Sequence, residues 1–476
     1  MDTDEFRRRG HELVDRIAEY WETIESRPVR SKARPGAIAA ALPAAAPEGP
    51  EGFDEILADF DRILDPGLTN WAHPRFFAYF PANISPPAVL GEILAAGLGQ
   101  QAMLWETSPA ANELEAVTMA WLAGAIGLPD AFRGTIQDSA STATLCALIA
   151  MRERALDWTG NSDGLSGKPK LVVYASAEAH SSIDKAARIA GFGDAGLRRI
   201  PADDRFRMTP TALEAAIAQD LAAGSVPAGI VASVGATGVG AVDPVSQIAD
   251  IAARHGIYLH VDAAWAGSAL ICPEFRDIAA GIEKADSVVF NPHKWLVTNF
   301  DCSAHFVRDP AVLRKALSIL PAYLVSEGST AGPEYRDWTI PLGRRFRALK
   351  LWFALRSYGL EAIRAMIRNH VAWAEEVEGM VAAEPGFELA APRSLALVVF
   401  RYRPHGLSDA ALDALNDRLI SIVNETGFTY LTRTLVGGRV AVRLSIGNLA
   451  TERRHVVDAW EHVREVAESL GGTGHG

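Results

Sequence analysis

The pentapeptide Asn291-Pro292-His293-Lys294-Trp295 sets a lysine just after a short apolar run, Ser287–Phe290. A lysine amine in a partly desolvated setting loses proton affinity. The neutral amine can then condense with an aldehyde. Taken alone, the same lysine also reads as a surface residue in a turn. Asp262, 32 residues earlier, closes the apolar run Ile257–Val261 within His260-Val261-Asp262-Ala263-Ala264-Trp265-Ala266-Gly267. A carboxylate at a buried strand end needs a partner, either a structural cation or a protonated ring nitrogen. Ala263 and Ala264 beside it are small enough for a flat ring to lie against.

Two further segments end in the same manner. Asp138-Ser139-Ala140-Ser141-Thr142 follows Thr135-Ile136-Gln137 and opens a helical pattern, Ala143–Leu156. Small hydroxyl residues at a helix N-terminus offer donors to a phosphate; they also serve as plain helix caps. His180, in Ala179-His180-Ser181-Ser182, comes shortly after the run Leu171–Tyr174. Thr237, in Gly235-Ala236-Thr237-Gly238, lies just past Ile230–Val234. A lysine for an aldehyde, an acid for a pyridine nitrogen, hydroxyls for a phosphate and a histidine for a ring face together imply pyridoxal 5'-phosphate (PLP). There is no GxGxxG or Walker pattern to suggest a dinucleotide or ATP.

The elements that must position these residues are short β-branched runs alternating with helical patterns, from about Phe53 to Tyr358. That alternation predicts an α/β fold with a mainly parallel sheet covered on both faces. In such sheets ligands bind beyond the carboxyl ends of the strands, where all five segments fall. Before this region, Phe6, Leu13, Val14, Ile17, Tyr20, Trp21 and Ile24 recur at helical spacing. The Ala- and Pro-rich stretch Pro28–Gly52 then reads as an extended arm. The helix and arm suit packing on a partner subunit or docking on the chain itself. After Gly359 the pattern predicts helices at Glu361–Ala383 and Asp409–Thr426, strands at Leu395–Arg401 and Arg439–Ser445, and a last helix to about Leu470. The domain expectation is a helical N-terminal arm or dimerisation segment over 1–80, a large cofactor-binding domain over 81–360 and a small α+β domain over 361–476. The tail after Leu470 reads as disordered.

Composition narrows the classes. With 476 residues and 49% hydrophobic content, the chain can bury a large core. A formal net charge of -12 disfavours nucleic acid and anionic membrane surfaces as partners. Cys146, Cys272 and Cys302 are far apart and lack metal-ligand spacing, which predicts a reducing, cytoplasmic setting and no metal site. No apolar stretch reaches membrane-spanning length, and the first residues, Met1–Gly10, do not read as a secretory signal.

The wording of these motifs, with Trp71–Pro81 (WAHPRFFAYFP), Trp105–Glu115 (WETSPAANELE), Asn299–Ala304 (NFDCSA) and Ile340–Phe353 (IPLGRRFRALKLWF), resembles the group II PLP decarboxylases. These belong to fold type I, the aspartate aminotransferase-like transferase fold. Within the group the chain is most similar to aromatic-L-amino-acid decarboxylases, from about Glu5 into the C-terminal unit, and its wording looks like bacterial members. The resemblance implies that Lys294 carries the cofactor, Asp262 pairs with its ring nitrogen and His180 flanks the ring. It implies Ser139, Ala140, Ser141, Asn291 and His293 at the phosphate and Thr237 near the ring. Tyr323, in Leu320–Leu324, would return a proton to the product carbon. It further implies a homodimer with its active site at the subunit interface, the catalytic loop and the Gln101/Met103 region reaching across.

The implied reaction is decarboxylation of an aromatic L-amino acid to the arylalkylamine and CO₂. An oxidative aldehyde synthase, a glutamate-type decarboxylase and an aminotransferase of the same fold stay open; in the family, phenylalanine at the position of Tyr323 goes with aldehyde formation. The aromatic run Trp71, Phe76, Phe77, Tyr79 and Phe80, ending at Pro81, suits a planar side chain or an ordinary core. Ala82, Gln101 and Met103 replace the threonine, isoleucine and phenylalanine of the animal enzymes. Gly343 resembles the glycine of members that accept indoles, so tryptophan or 5-hydroxytryptophan is favoured, with DOPA, tyrosine and phenylalanine open. The polar stretch Val325–Trp338 reads as a loop that closes over the site or as a plain surface loop.

Overall fold

The computed structural model describes residues 1–319 and 333–471. Tyr323, most of Val325–Trp338 and the last five residues lie outside the described residues. The chain divides into two compact units. One comprises Met1–Pro81, Glu376–Ala390 and Val399–Gly476; the other comprises Ala82–Glu375 and Ala391–Val398.

The second unit is built on a seven-stranded sheet. Its strands are β1 (Arg133–Gln137), β2 (Leu171–Ser176), β3 (Leu197–Ile200), β4 (Val226–Ser233), β5 (Tyr258–Asp262), β6 (Ser287–Phe290) and β7 (Ser303–Val307). Their order across the sheet is β1-β7-β6-β5-β4-β2-β3. The pairs β2–β3, β2–β4, β4–β5 and β5–β6 are parallel. β7 alone runs against its neighbours, β1 and β6. β1 therefore points the same way as β6, and the expected mainly parallel sheet is what forms. β3 and β7 are not among the strands that the sequence pattern predicts. β3, Leu-Arg-Arg-Ile, is a short half-covered edge, and β7 is buried throughout, so neither shows alternation.

The helix Ala140–Ala155 crosses this sheet. Ser139, with extended backbone, caps it by accepting the N–H of Thr142, and Arg152 and Arg154 stand at its negative end. Close approach to β4 needs Gly229, because a Cβ there would collide with Sδ of Met151. Leu148 and Met151 join Val173, Ile183, Val231 and Tyr258 in one buried cluster. Apolar packing thus fixes where the N-terminus of this helix meets the sheet edge.

The first unit joins the two ends of the chain. The amphipathic pattern forms the helix Thr3–Glu22, and the stretch read as an extended arm contains a short helix, Ala37–Ala41. Val29 N–H donates to Gly427 O at 2.8 Å, and Phe77 N–H to Tyr430 O at 3.0 Å. Arg75 Nε donates to Phe428 O, 353 positions away. Strands β8 (Phe387–Leu389), β9 (Leu397–Tyr402), β10 (Thr432–Val436) and β11 (Arg439–Ser445) form a second sheet, ordered β10-β11-β9-β8. The pairs β8–β9 and β10–β11 are antiparallel. Among the described residues, no helix is long and apolar enough to cross a membrane.

Candidate active site

Because β1, β2, β4, β5 and β6 point the same way, their carboxyl ends share one edge. Beyond that edge lies a cavity of about 200 Å³. Its walls are Ser139, Ala140, Ser141, His180, Ser182, Ser233, Gly235, Ala236, Thr237, Asp262, Ala264, Trp265, Asn291, His293 and Lys294. All ten cofactor-side candidates read from the sequence are in this set. Ser182, Ser233, Gly235, Ala236 and Trp265 complete it without having been singled out. The signal for Trp265 was its place three residues after Asp262; its Nε1 donates to Gly235 O at 2.6 Å and ties the β5 end to the β4 end.

Asp262 is buried, and its Oδ1 accepts the Ala264 N–H at 3.0 Å. Burial raises its pKa above the usual carboxylate value, while Lys294, the Ala264 N–H and His180 oppose the rise. A buried carboxylate held by its own strand-end turn and opening on a cavity beside a lysine suits a cationic ring nitrogen. These features fit pyridoxal phosphate, and the remaining donors agree with it. An α-helix leaves its first N–H groups without intrahelical partners, and Ala140 and Ser141 occupy that turn at the cavity wall. Ser139 Oγ accepts the Thr142 N–H at 3.2 Å and lies 3.1 Å from the Thr142 hydroxyl, so it serves as the helix cap at the cavity wall.

Lys294 sits in a single helical turn, Pro292–Trp295, directly after β6. Asn291 and His293 flank it, both buried. His293 Nδ1 accepts the Cys302 N–H at 3.0 Å, and burial pushes its pKa down to about 3. A neutral ring that accepts at Nδ1 carries its hydrogen on Nε2.

His180 opens onto the cavity, yet the protein packed behind its ring lowers its pKa; Asp262 works against this and Lys294 adds to it. Thr237 is exposed on the turn after β4. The N–H groups of Gly235 and Ala236 in that turn both donate to Ala241 O, at 3.0 and 2.8 Å. Asp243 anchors the turn's base by accepting the N–H groups of Ser233 and Met208, each at 2.7 Å. Burial lifts the Asp243 pKa to about 6.

The substrate-side candidates fall in two places. In the second unit, a Cβ on Gly343 would lie 3.3 Å from Nε2 of Gln101. Gln101 Oε1 accepts the N–H of Arg344. Met103 O accepts the N–H of Arg336 at 3.1 Å, and Ala82 is half-buried beside Asn83. None of these four lines the cavity. Beneath them, Arg344 donates to Glu115 at 2.7 Å and to Ile136 O at 2.9 Å, and both side chains of this ion pair are buried. In the first unit, Trp71 and Tyr79 are exposed and stacked, with centroids 5.9 Å apart. Phe76 and Phe77 are core, Pro81 is buried and Phe80 packs on Gly447. Tyr335–Trp338, the described end of the expected surface loop, is buried as well. Its two aromatic rings pack edge to face with centroids 5.7 Å apart, which holds that end in the core.

A family model, the pyridoxal-dependent decarboxylase conserved domain, matches residues 35–403. The phenylacetaldehyde synthase of Arabidopsis thaliana is 43% identical over 480 residues, 99% of this chain and 97% of that protein. The tryptophan decarboxylase TDC2 of Camptotheca acuminata is 43% identical over 481 residues, 99% of this chain and 96% of that protein. A crystal structure of Oryza sativa TDC with PLP and tryptamine superposes with a TM-score of 0.95, at 38% identity and 99% coverage of both chains.

Proposed function

This chain belongs to the pyridoxal-dependent decarboxylase family, and on that premise we propose that it converts an aromatic L-amino acid to the arylalkylamine and CO₂. The carrying observation is the cavity beyond the parallel strands, where Lys294, Asp262 and His180 meet the N-terminus of the helix Ala140–Ala155. Its cofactor is PLP, in keeping with the family. When bound, PLP supplies an electron sink for the bond to the departing carboxylate.

The chain supplies position and protons. Ser139, Ala140 and Ser141 would take the phosphate, with Asn291 and His293 behind them. Thr237 would meet the cofactor near its ring, and Ala264 would lie against it. The Lys294 amine would take the aldehyde and later help release the amine product. The Asp262 carboxylate would hold a proton on the ring nitrogen and so keep the sink effective. His180, neutral at working pH, would flank the ring and orient the substrate carboxylate through Nε2–H. Tyr323, outside the described residues, would protonate the α-carbon. Trp71, Tyr79, Phe80, Pro81, Ala82, Gln101, Met103 and Gly343 are the residues proposed to choose the side chain, with tryptophan or 5-hydroxytryptophan favoured.

The second reading is the aldehyde synthase, since one relative at 43% identity carries that name. A single experiment separates them. Holoenzyme is given tryptophan, 5-hydroxytryptophan, DOPA, tyrosine, phenylalanine and glutamate, and amine, aldehyde, peroxide and CO₂ are read together. Amine with equimolar CO₂ from an aromatic substrate supports decarboxylation; aldehyde with peroxide, or turnover of glutamate alone, overturns it. In the same assay Tyr323→Phe should divert product toward aldehyde.

The working form is proposed to be a cytoplasmic homodimer, with residues 1–80 contributing to dimerisation. Leu90, Ile93, Leu94 and Leu98 along one helix, and Val117 and Trp121 on the next, are exposed apolar side chains that favour a covering partner. The three cysteines are free and buried, which suits a reducing compartment. Sedimentation should give twice the chain mass of 51.1 kDa; a stable monomer that turns over would exclude the shared site.

A further inference from the structure

The turn that presents Lys294 cannot hold itself. Pro292–Trp295 is a four-residue helix, and so short a helix leaves its later carbonyls without intrahelical partners. Two of those carbonyls turn to one distant residue. The N–H of Asn83 donates to His293 O at 2.7 Å, and Nδ2 of Asn83 donates to Lys294 O at 3.0 Å. Two residues on, Ser85 Oγ donates to Val297 O at 2.6 Å. Asn83 and Ser85 are both buried, so water does not compete for these carbonyls. Asn83 is 211 positions from Lys294, and the sequence pattern singles out its neighbours Pro81 and Ala82 but not Asn83 itself.

We propose that Asn83 is a positioning residue for Lys294: its main chain and side chain together clamp the lysine turn and so set where the amine stands in the cavity. The clamp begins immediately after Ala82, the position proposed to meet the substrate, so it also ties that segment to the lysine turn. A bond to the lysine's own carbonyl restrains its Cα, from which the flexible four-carbon stem reaches the cavity. Loosening that point widens the spread of positions open to the amine, and misplacement by an ångström is costly to orientation-dependent steps. The inference rests on Lys294 being the residue that carries the cofactor, as proposed above.

The test uses holoenzyme. Borohydride reduction of the wild type, followed by peptide mass mapping, first asks which lysine is labelled. Label on another lysine removes the premise; label on Lys294 leaves the inference about Asn83 to be judged by itself. Asn83→Ala removes the side-chain donor. Asn83→Asp keeps the size and exchanges that donor for an acceptor facing the carbonyl. Three quantities are read per bound cofactor: the pH midpoint of the visible absorbance, the rate at which hydroxylamine bleaches that absorbance, and kcat apart from KM. Both variants should shift the midpoint by half a pH unit or more, change the bleaching rate by about 10-fold and lower kcat by about 10-fold with KM within 2-fold, whereas Asn83→Gln, which keeps the amide, should recover part of each. A merely structural Asn83 would lower Tm and leave all three at wild-type values, and that outcome overturns the proposal. Should Asn83→Ala not fold, the isosteric Asn83→Asp decides by the same three readings; if it too fails to fold, the same holds for Asn83→Ser.

Discussion

The backbone N–H of Ser182 donates to Nδ1 of His180 at 3.2 Å, and the Ser182 hydroxyl lies 2.8 Å from the same nitrogen. A ring nitrogen that accepts an amide hydrogen carries none of its own, so the neutral His180 ring bears its hydrogen on Nε2. The residue that opens the next helix thereby selects the tautomer that the cavity meets.

His180 should accordingly act as a neutral ring. Its lowered pKa predicts that kcat stays level as pH falls through 6.5, the ordinary histidine value, and declines only below it. His180→Ala should lower kcat/KM by about 10²-fold or more. His180→Phe, which keeps a flat ring without a donor, should recover cofactor affinity and not turnover. Cofactor dissociation constants and pH–rate profiles of both variants check this; full activity in His180→Phe would leave the donor without a role.

Asp262→Asn should keep the shape of the strand-end turn and remove its charge. The expected result is bound cofactor with kcat lower by about 10²- to 10⁴-fold, because the electron sink is no longer held cationic. Lys294→Ala should lose at least about 10³-fold and no longer trap the cofactor under borohydride. Intact-mass spectra after reduction give the second reading directly.

Gly343 leaves room for the side chain of Gln101. A serine at 343 would bring its Cβ to 3.3 Å from the Gln101 amide, close enough to move it. Gly343→Ser should lower kcat/KM for tryptophan relative to tyrosine by about 10-fold, the value of roughly one misfitted group. An unchanged ratio would remove Gly343 from the specificity determinants.

Arg344 and Glu115 form a buried pair beneath that segment. Glu115→Gln or Arg344→Met alone should cost about 3–5 kcal/mol of stability, since each strands the other charge; replacing both should cost less. Urea unfolding of the two single variants and the double variant measures the coupling.

Acid should weaken the fold through its buried histidines. His305 and His73 are pushed down to about 4, and His293 and His370 to about 3, all by burial. In the unfolded chain these rings take up protons below about 6.5, where the folded chain does not. Their contribution is therefore complete above 6.5 and is lost as pH falls toward 4, at about 1.4 kcal/mol per pH unit for each ring. Asp243, raised to about 6, acts with the opposite sign between its ordinary value of 3.8 and 6, and offsets about one ring. The urea midpoint of holoenzyme should fall between pH 7 and pH 4.5; a midpoint that rises would contradict the assignment of neutral buried rings.

The cavity walls were legible because the strands that end on them are apolar runs buried on both faces, so the polar residues shortly past each run stand out. Lys294, Asp262, His180 and Thr237 were found in this way, and family wording added Asn291 and His293. β7 left no such mark, because Ser303 and His305 interrupt its apolar residues, and its reversed direction is a matter of pairing. Asn83 was equally silent, because its role lies in bonds to carbonyls, which every residue has. The aromatic run from Trp71 to Phe80 shows the limit of composition: Phe76 and Phe77 are core, while Trp71 and Tyr79 stand exposed. Periodicity cannot sort side chains in a segment with no regular element.

The first unit draws its residues from both ends of the chain and hydrogen-bonds them together, as between Arg75 and Phe428, 353 positions apart. During synthesis its opening segment emerges first and finds no complement. At roughly 5–20 residues per second, the ribosome needs roughly 20–70 s to deliver the missing part. Phe76, Phe77 and Val29 stay uncovered throughout that interval, since the residues that bury them have not been made. A fragment stopped after residue 375 would contain every proposed cofactor ligand and still carry an unfinished, adhesive N-terminal end.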